Sequence, residues 1–338
     1  MSETEPGPGS VTVGGLILAN PLWLAPLAGV TTAPAREFFS RLGAGLTHTE
    51  MVSCAGLLQG NLKTQNMLNF LPKDKESGDF SDLLESPVVL QLFSGDADRM
   101  TRGAQAAVAR LGPHRFAALG INMACPMPKV TRQGAGAALM KTPKTAFEMT
   151  RSLKRLGLPV WVKTRRLSEI PETLRFVDGL VEAGADNVCV HGRTPPQRYE
   201  GQADRQVVTW AAARFPGKIS ASGDVYAVED IEEYLGMGCV GVMLARGALA
   251  DPYLFPQALS ALGYPIPLAL KNPTREQRLE QLKRLGERAR QFCGTRGAVV
   301  LIKRLMAGAL KGTRGSRELR RRAGSTTDLN ELLEVLKT

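Results

Sequence analysis

Short apolar runs recur along the first three quarters of the chain, and each gives way to a polar loop. They are Leu22–Leu27, Leu46–Met51, Pro87–Phe93, Ala117–Met123, Pro159–Arg165, Asn187–Arg193, Lys218–Ala221 and Gly241–Leu244. Several gaps between them hold amphipathic helix candidates, at Asp98–Leu111, Pro171–Ala183, Arg205–Phe215 and Val228–Leu235. Strand and helix in alternation predict parallel strands, because parallel neighbours need a crossover connection. Eight such units predict an α/β fold of the (β/α)8 barrel type, with its site at the C-terminal ends of the strands. An open doubly wound sheet is the rival architecture, but no G-x-G-x-x-G follows the first run. Ahead of the barrel, Val11–Leu18 reads as a short hairpin about Gly14-Gly15.

After Asp251-Pro-Tyr-Leu-Phe the pattern changes. Pro265, Pro267 and Pro273 mark a linker, and Thr274-Arg-Glu-Gln has the form of a capping box. Arg275–Phe292 and Ala298–Leu310 read as helices, then comes a basic stretch to Arg322, and a last helix begins near Thr327. The expected division is a barrel over 1–262, a linker over 263–273 and a small C-terminal helical domain over 274–338. Charge follows that division. Residues 1–270 carry 26 Lys and Arg against 25 Asp and Glu, whereas residues 271–338 carry 17 against 7. Nearly the whole net charge of +11 thus lies in the last fifth of the chain, a pattern that predicts contact with a polyanion.

Other classes are disfavoured. No apolar run is long enough to span a membrane, and the start MSETEPGPGS is acidic and polar rather than signal-like. The five cysteines include no C-x-x-C pair, which argues against zinc or a disulfide framework and for a reducing cytosol.

Polar residues interrupt the apolar runs at their ends. Cys125 follows the run that closes on Asn122-Met123, and precedes a glycine-rich loop with Lys129, Arg132, Gly134 and Gly136. Lys163 sits inside WVKTR, His191 precedes Gly192-Arg193-Thr194, and the last two runs lead into Ser222-Gly223-Asp224 and Ala245-Arg246-Gly247. An unpaired inward lysine is hard to explain as structure. Glycine-rich turns after the last two barrel strands are where such folds commonly bind phosphate through backbone N–H groups.

APLAGVT, TEMVS, VVLQLF, INMACP, WVKTR, VHGRT with YEG and AD, SGDV and VMLARGAL stand in the order of the dihydrouridine synthase pattern, which the chain resembles over nearly its whole length. The resemblance implies an FMN enzyme that uses NADPH to reduce uracil in RNA, transfer RNA or ribosomal, in the cytoplasm, as a monomer without a metal. It implies that Pro26, Leu27, Ala28, Gln91, Lys163, His191, Ser222, Gly223, Asp224, Ala245 and Arg246 hold the flavin, and that Cys125 is the proton donor. Asn122, Lys129, Arg193, Lys303, Arg304 and Arg320 are the implied substrate contacts. Adding hydride at C6 of uracil requires a proton at C5, so the donor thiol must be protonated, and the uridine must be extruded to reach it.

Several positions depart from that pattern, among them the run Thr31-Thr-Ala-Pro-Ala-Arg36, where the family has Thr-Asp-x-Pro-Phe-Arg. Ala124 and Ala245 stand where the family has glycine, and Ser222 where it has asparagine. Two other readings stay open: a small-molecule FMN oxidoreductase of the dihydropyrimidine or dihydroorotate type, and a catalytically silent RNA-binding protein. The first leaves the basic tail unexplained, and the joint presence of Cys125, Lys163 and His191 argues against the second.

Overall fold

The structure, a computed structural model, describes residues 9–70 and 86–336; the start of the polar leader lies outside them. Its strands are β1 (Val11–Val13), β2 (Leu16–Leu18), β3 (Leu22–Leu24), β4 (Thr47–His48), β5 (Val52–Ser53), β6 (Val88–Phe93), β7 (Ala118–Met123), β8 (Val160–Arg165), β9 (Asn187–His191), β10 (Ile219–Ser222) and β11 (Gly241–Leu244). The first two pair antiparallel about Gly14 and Gly15, whose φ of 58° and 81° costs glycine little. The others form one parallel sheet in the order β3-β11-β10-β9-β8-β7-β6-β4, with β5 added beside β6. A parallel bridge from Trp23 to Leu46 joins its two ends. The sheet is therefore the expected eight-stranded parallel barrel.

Two apolar layers hold it. Outside the strands, helices such as Ala97–Leu111, Pro143–Lys154 and Ile170–Glu182 bury one face each. Inside, the floor of the barrel is packed with Trp23, Trp161, Ala118, Cys189 and Met243, plugged from below by Val13 and Leu18 of the hairpin. Trp23 and Trp161 lie 4.9 Å apart, ring centre to ring centre, and a Cβ on Gly241 would strike the Trp23 ring. The floor is closed, so ligands enter from the C-terminal ends of the strands.

Several local expectations change. The second apolar run shortens to β4, and the chain re-enters the sheet as β5 before two short helices, Cys54–Leu58 and Leu62–Asn66. The loop after Cys125 is not open glycine-rich chain: Pro128–Thr131 is helical and Gly136–Lys141 forms a 3-10 turn. A short helix, Leu268–Lys271, lies within the expected linker. The two predicted tail helices join end to end as Arg275–Ala309 through a kink at Gly294, whose φ is 67°. Thr274 caps that helix with Gln277 as the sequence suggests. Ser316–Ser325, read only as a basic stretch, is a helix, and Asp328 caps the last one, Leu329–Val335.

Candidate active site

Strand register brings the polar strand ends together. Asn122 of β7 stands beside Lys163 of β8, and Lys163 beside Cys189 of β9. One layer higher, Arg165 aligns with His191, His191 with Ser222, and Ser222 with Met243. Side chains two apart on a strand share a face, so Trp161, Lys163 and Arg165 all point inward from β8. Above the tryptophan floor a cavity of about 230 Å³ opens, walled by Ala25–Ala28, Asn122, Cys125, Lys163, His191, the Ser222–Tyr226 turn and the Ala245–Gly247 turn.

Asn122 organises the thiol. Its amide donates to Gln91 Oε1 at 2.9 Å and to Met51 Sδ at 3.0 Å, which orients its carbonyl oxygen toward the chain beyond it. That oxygen accepts from the N–H groups of Ala124 (3.3 Å) and Cys125 (3.0 Å). On the other side, Ala137 N–H donates to the Cys125 carbonyl at 3.0 Å, and a Cβ on Gly136 would lie 2.6 Å from that oxygen. Burial pushes the Cys125 thiol above the ordinary cysteine range, against the opposing pull of the Met127 N–H and the Arg165 charge. Cys125 is therefore a fixed, protonated thiol, suited to giving a proton rather than to nucleophilic attack.

The same cavity has a cationic wall. Lys163 has no carboxylate or other acceptor among the described residues. Burial lowers its pKa, the nearby Cys189 opposes this, and Arg165 lowers it further. Burial, followed by the charges of Lys163, Arg165, Arg193 and Arg246, pushes His191 down to about 2, so its imidazole is neutral. At the turns after β10 and β11, the N–H groups of Gly223, Asp224 and Arg246 meet no acceptor among the described residues. Gly223 has φ 116°, and a Cβ there would come 2.5 Å from the His191 ring. Free backbone donors, an arginine and an unpaired lysine make an anion-receiving cavity.

The expected residues are not all equivalent. Pro26, Leu27, Ala28, Asn122, Cys125, Lys163, His191, Ser222, Gly223, Asp224, Ala245 and Arg246 line the cavity. Gln91 does not: it is buried behind Asn122 and acts on the cavity through it. Arg193 is also absent from the lining; it is buried, ion-paired to Asp224 at 2.7 Å and bonded to the carbonyls of Glu200 and Gly201. Lys129 is exposed on the short helix beyond the cavity. Lys303 donates to the Gly324 carbonyl, and Arg304 donates to the Ala28 carbonyl at 3.0 Å, which ties the tail to the cavity wall. Arg320 is half-buried on the helix Ser316–Ser325, away from the cavity lining. Sequence reading passed over Met51, Arg165, Tyr199 and Tyr226, all in the lining. Arg165 carried a signal in its position two after Lys163 on one strand, and Met51 and Tyr199 stand in the motifs TEMVS and YEG, whereas Tyr226 carried none.

Among the described residues no cluster of His, Cys, Asp and Glu could hold a metal ion, and no helix is long and apolar enough to cross a membrane. A (β/α)8 barrel with a protonated thiol and an anion-receiving wall in one cavity defines the class of protein. The chain belongs to the dihydrouridine synthase (Dus) family, whose model matches residues 23–338. A probable tRNA-dihydrouridine synthase of Treponema pallidum is 29% identical over 342 residues, covering 97% of this chain and 95% of that one. A protein of the same description from Mycobacterium tuberculosis is 30% identical over 345 residues, covering 97% and 84%. Among solved structures, TcOYE with pHBA superposes with a TM-score of 0.52 at 13% identity, over 78% of this chain and 94% of that one. A morphinone reductase gives 0.52 at 14%, over 81% and 93%. These two likenesses bear on the fold alone.

Proposed function

We propose that the protein reduces the C5–C6 bond of uridine in RNA, with transfer RNA as the substrate, using FMN and NADPH. The observation that carries this reading is the fixed, protonated Cys125 thiol lining one cavity with Lys163 and His191. The residues present fit FMN. The free N–H groups of Gly223, Asp224 and Arg246 with the Arg246 guanidinium suit a phosphate, and the Ala25–Ala28 wall suits a flat apolar ring. Unpaired Lys163 suits an anionic ring edge. Bound there, FMN would supply the hydride for C6 of the uracil, with NADPH as the source of its reducing equivalents.

The chain's own residues do the rest. Cys125 gives its Sγ proton to C5, on the other end of the double bond, and regains one from solvent. Asn122 holds the Cys125 backbone still, and neutral His191 offers a hydrogen bond without adding charge. The cavity is too deep for a stacked base, so the uridine is flipped out of its strand.

The tail supports an RNA substrate, although its charge is divided. Arg288, Arg304 and Lys311 contact Glu37, the Ala28 carbonyl and Asp251, and so hold the tail to the barrel. Arg290, Arg296, Arg314 and Arg317 are exposed with no ion-pair partner among the described residues, and these together with Arg320 are the phosphate contacts we propose for the unit 274–338. Five free thiols suit a reducing, cytoplasmic setting. The test is to purify the protein, assay released FMN, and look for dihydrouridine by mass spectrometry after incubation with NADPH and unmodified transfer RNA. A colourless protein that FMN does not restore, or a flavoprotein that leaves every uridine intact, would overturn the proposal.

A further inference from the structure

The chain between Thr194 and Gly201 forms a loop over the cavity rim, and arginines pin it from beneath. Arg165 donates to the carbonyls of Thr194 (3.2 Å) and Arg198 (2.8 Å). Arg193 donates to those of Glu200 (3.0 Å) and Gly201 (2.6 Å). At the tip Arg198 takes φ 48°, an uncommon conformation for a residue with a Cβ, which persists only where neighbours over-determine it. What this arrangement presents is Tyr199. The residue is 54% exposed, so burial does not explain its place. Instead it meets two guanidinium groups, Arg246 at 4.7 Å and Arg165 at 5.8 Å from the ring centre.

Those two arginines serve different parts of the cavity wall. Arg246 stands at the turn with the free backbone donors, 3.3 Å from Asp224. Arg165 is buried, and its Nε donates to the carbonyl of Ala124 at 2.8 Å, one residue before Cys125. Two like charges facing one small region repel, and an aromatic ring shared between them relieves this, because its negative π-face attracts both. An aliphatic side chain of similar size would fill the space without that attraction.

We infer that Tyr199 is a positioning residue that ties the anion-receiving turn at Arg246 to the Cys125 loop, through the stack Arg246–Tyr199–Arg165–Ala124. The inference rests on the preceding reading only in taking Arg246 to face the cofactor phosphate. Loss of the stack then acts on both parts of the cavity wall, on cofactor affinity and on the exposure of the thiol.

The test uses the full chain, freed of cofactor, with iodoacetamide as thiol probe and mass spectrometry to follow the Cys125 peptide; Cys293 is also half-buried, so the peptide must be resolved. Tyr199→Leu is expected to change the Cys125 alkylation rate, and to weaken FMN binding, by about two- to fivefold each, the scale of one partly exposed cation–π contact. Tyr199→Phe keeps the ring and should restore both. Arg246→Met should alter Cys125 alkylation when Tyr199 is present and add nothing in the Tyr199→Leu background. If Tyr199→Leu does not fold, Tyr199→Gln takes its place in this cycle. The tie is overturned if Arg246→Met leaves alkylation unchanged or acts equally in both backgrounds, or if Tyr199→Phe behaves like the leucine variant. A wild-type protein that fails to bind FMN would sink the cofactor reading instead, while the alkylation cycle, run without FMN, still decides the tie.

Discussion

Replacing Asp224 by asparagine asks whether the turn after β10 is built around a charge or only around a shape. Asparagine keeps the size and an oxygen for the Ala203 N–H, 2.8 Å away. What it removes is the charge facing Arg193 at 2.7 Å and Arg246 at 3.3 Å. The Arg193 side chain is 3% exposed, and its other bonds go to the Glu200 and Gly201 carbonyls and, weakly, to His191, none of which is a counter-charge. Stripping one partner from a buried pair costs about 3–5 kcal/mol; with Asp224 itself partly exposed, about 3 kcal/mol is expected. Urea unfolding of both proteins at neutral pH measures it. The acid limb supplies a second check. Burial alone would raise the Asp224 carboxyl, but the Arg193 hydrogen bond, the Ala203 N–H and the charges of Arg193 and Arg246 outweigh it, leaving the pKa below the usual range. A carboxyl depressed in the folded state stabilises above its unfolded pKa, about 3.9, and that contribution is lost as pH falls through the folded value. The gap between wild type and Asp224→Asn should therefore be full at neutral pH and narrow below about pH 4. A gap under about 1 kcal/mol, as for an exposed pair, or one indifferent to acid, would refute the reasoning.

Cys125→Ala should spare FMN binding and flavin reduction by NADPH while slowing uridine reduction by roughly 10²–10⁴-fold, as read in separate half-reaction kinetics; equal damage to both halves would mean a structural thiol. Gly223→Ala, with its φ of 116° and a Cβ 2.5 Å from the His191 ring, should cost about 2–4 kcal/mol in urea unfolding, from strain and overpacking together. Burial foremost holds His191 at about 2 and His48 at about 3, so the unfolded chain binds more protons below about pH 6.5 and stability should fall with acid there. Proton NMR would detect a departure as the His48 or His191 imidazole, each assigned by substitution, titrating between about pH 5 and 8 in the native state. Changing Arg314, Arg317 and Arg320 together to glutamine should weaken RNA binding and flatten its log–log salt slope by roughly 0.7–0.9 per lost phosphate contact, with FMN content untouched. Unaltered RNA affinity at every salt concentration would make these arginines a solvated helix face.

What the sequence determined by itself was periodic or punctuated. Alternating apolar runs and amphipathic helices bury their faces in a parallel α/β fold, and eight such units without a dinucleotide fingerprint point to a closed barrel, so the fold and the cavity end of each strand were legible in the chain. A polar residue closing an apolar run is conspicuous, which is why Asn122, Cys125, Lys163, His191 and the turns at Gly223 and Arg246 could be named. Tertiary structure decided which polar groups spend their capacity on the protein. Arg193 and Asp224 lie thirty-one positions apart and satisfy each other, so one expected substrate contact became a pillar beneath the site. Gln91 turned out to hold Asn122, and Arg304 to hold the cavity wall. The rim residues Tyr199 and Tyr226 come from loops without periodicity, where nothing in the order of residues says which arginine will lie against which ring. Partner choice depends on distances across the barrel mouth, and a charge is free for a ligand only when no neighbour in three dimensions has already neutralised it.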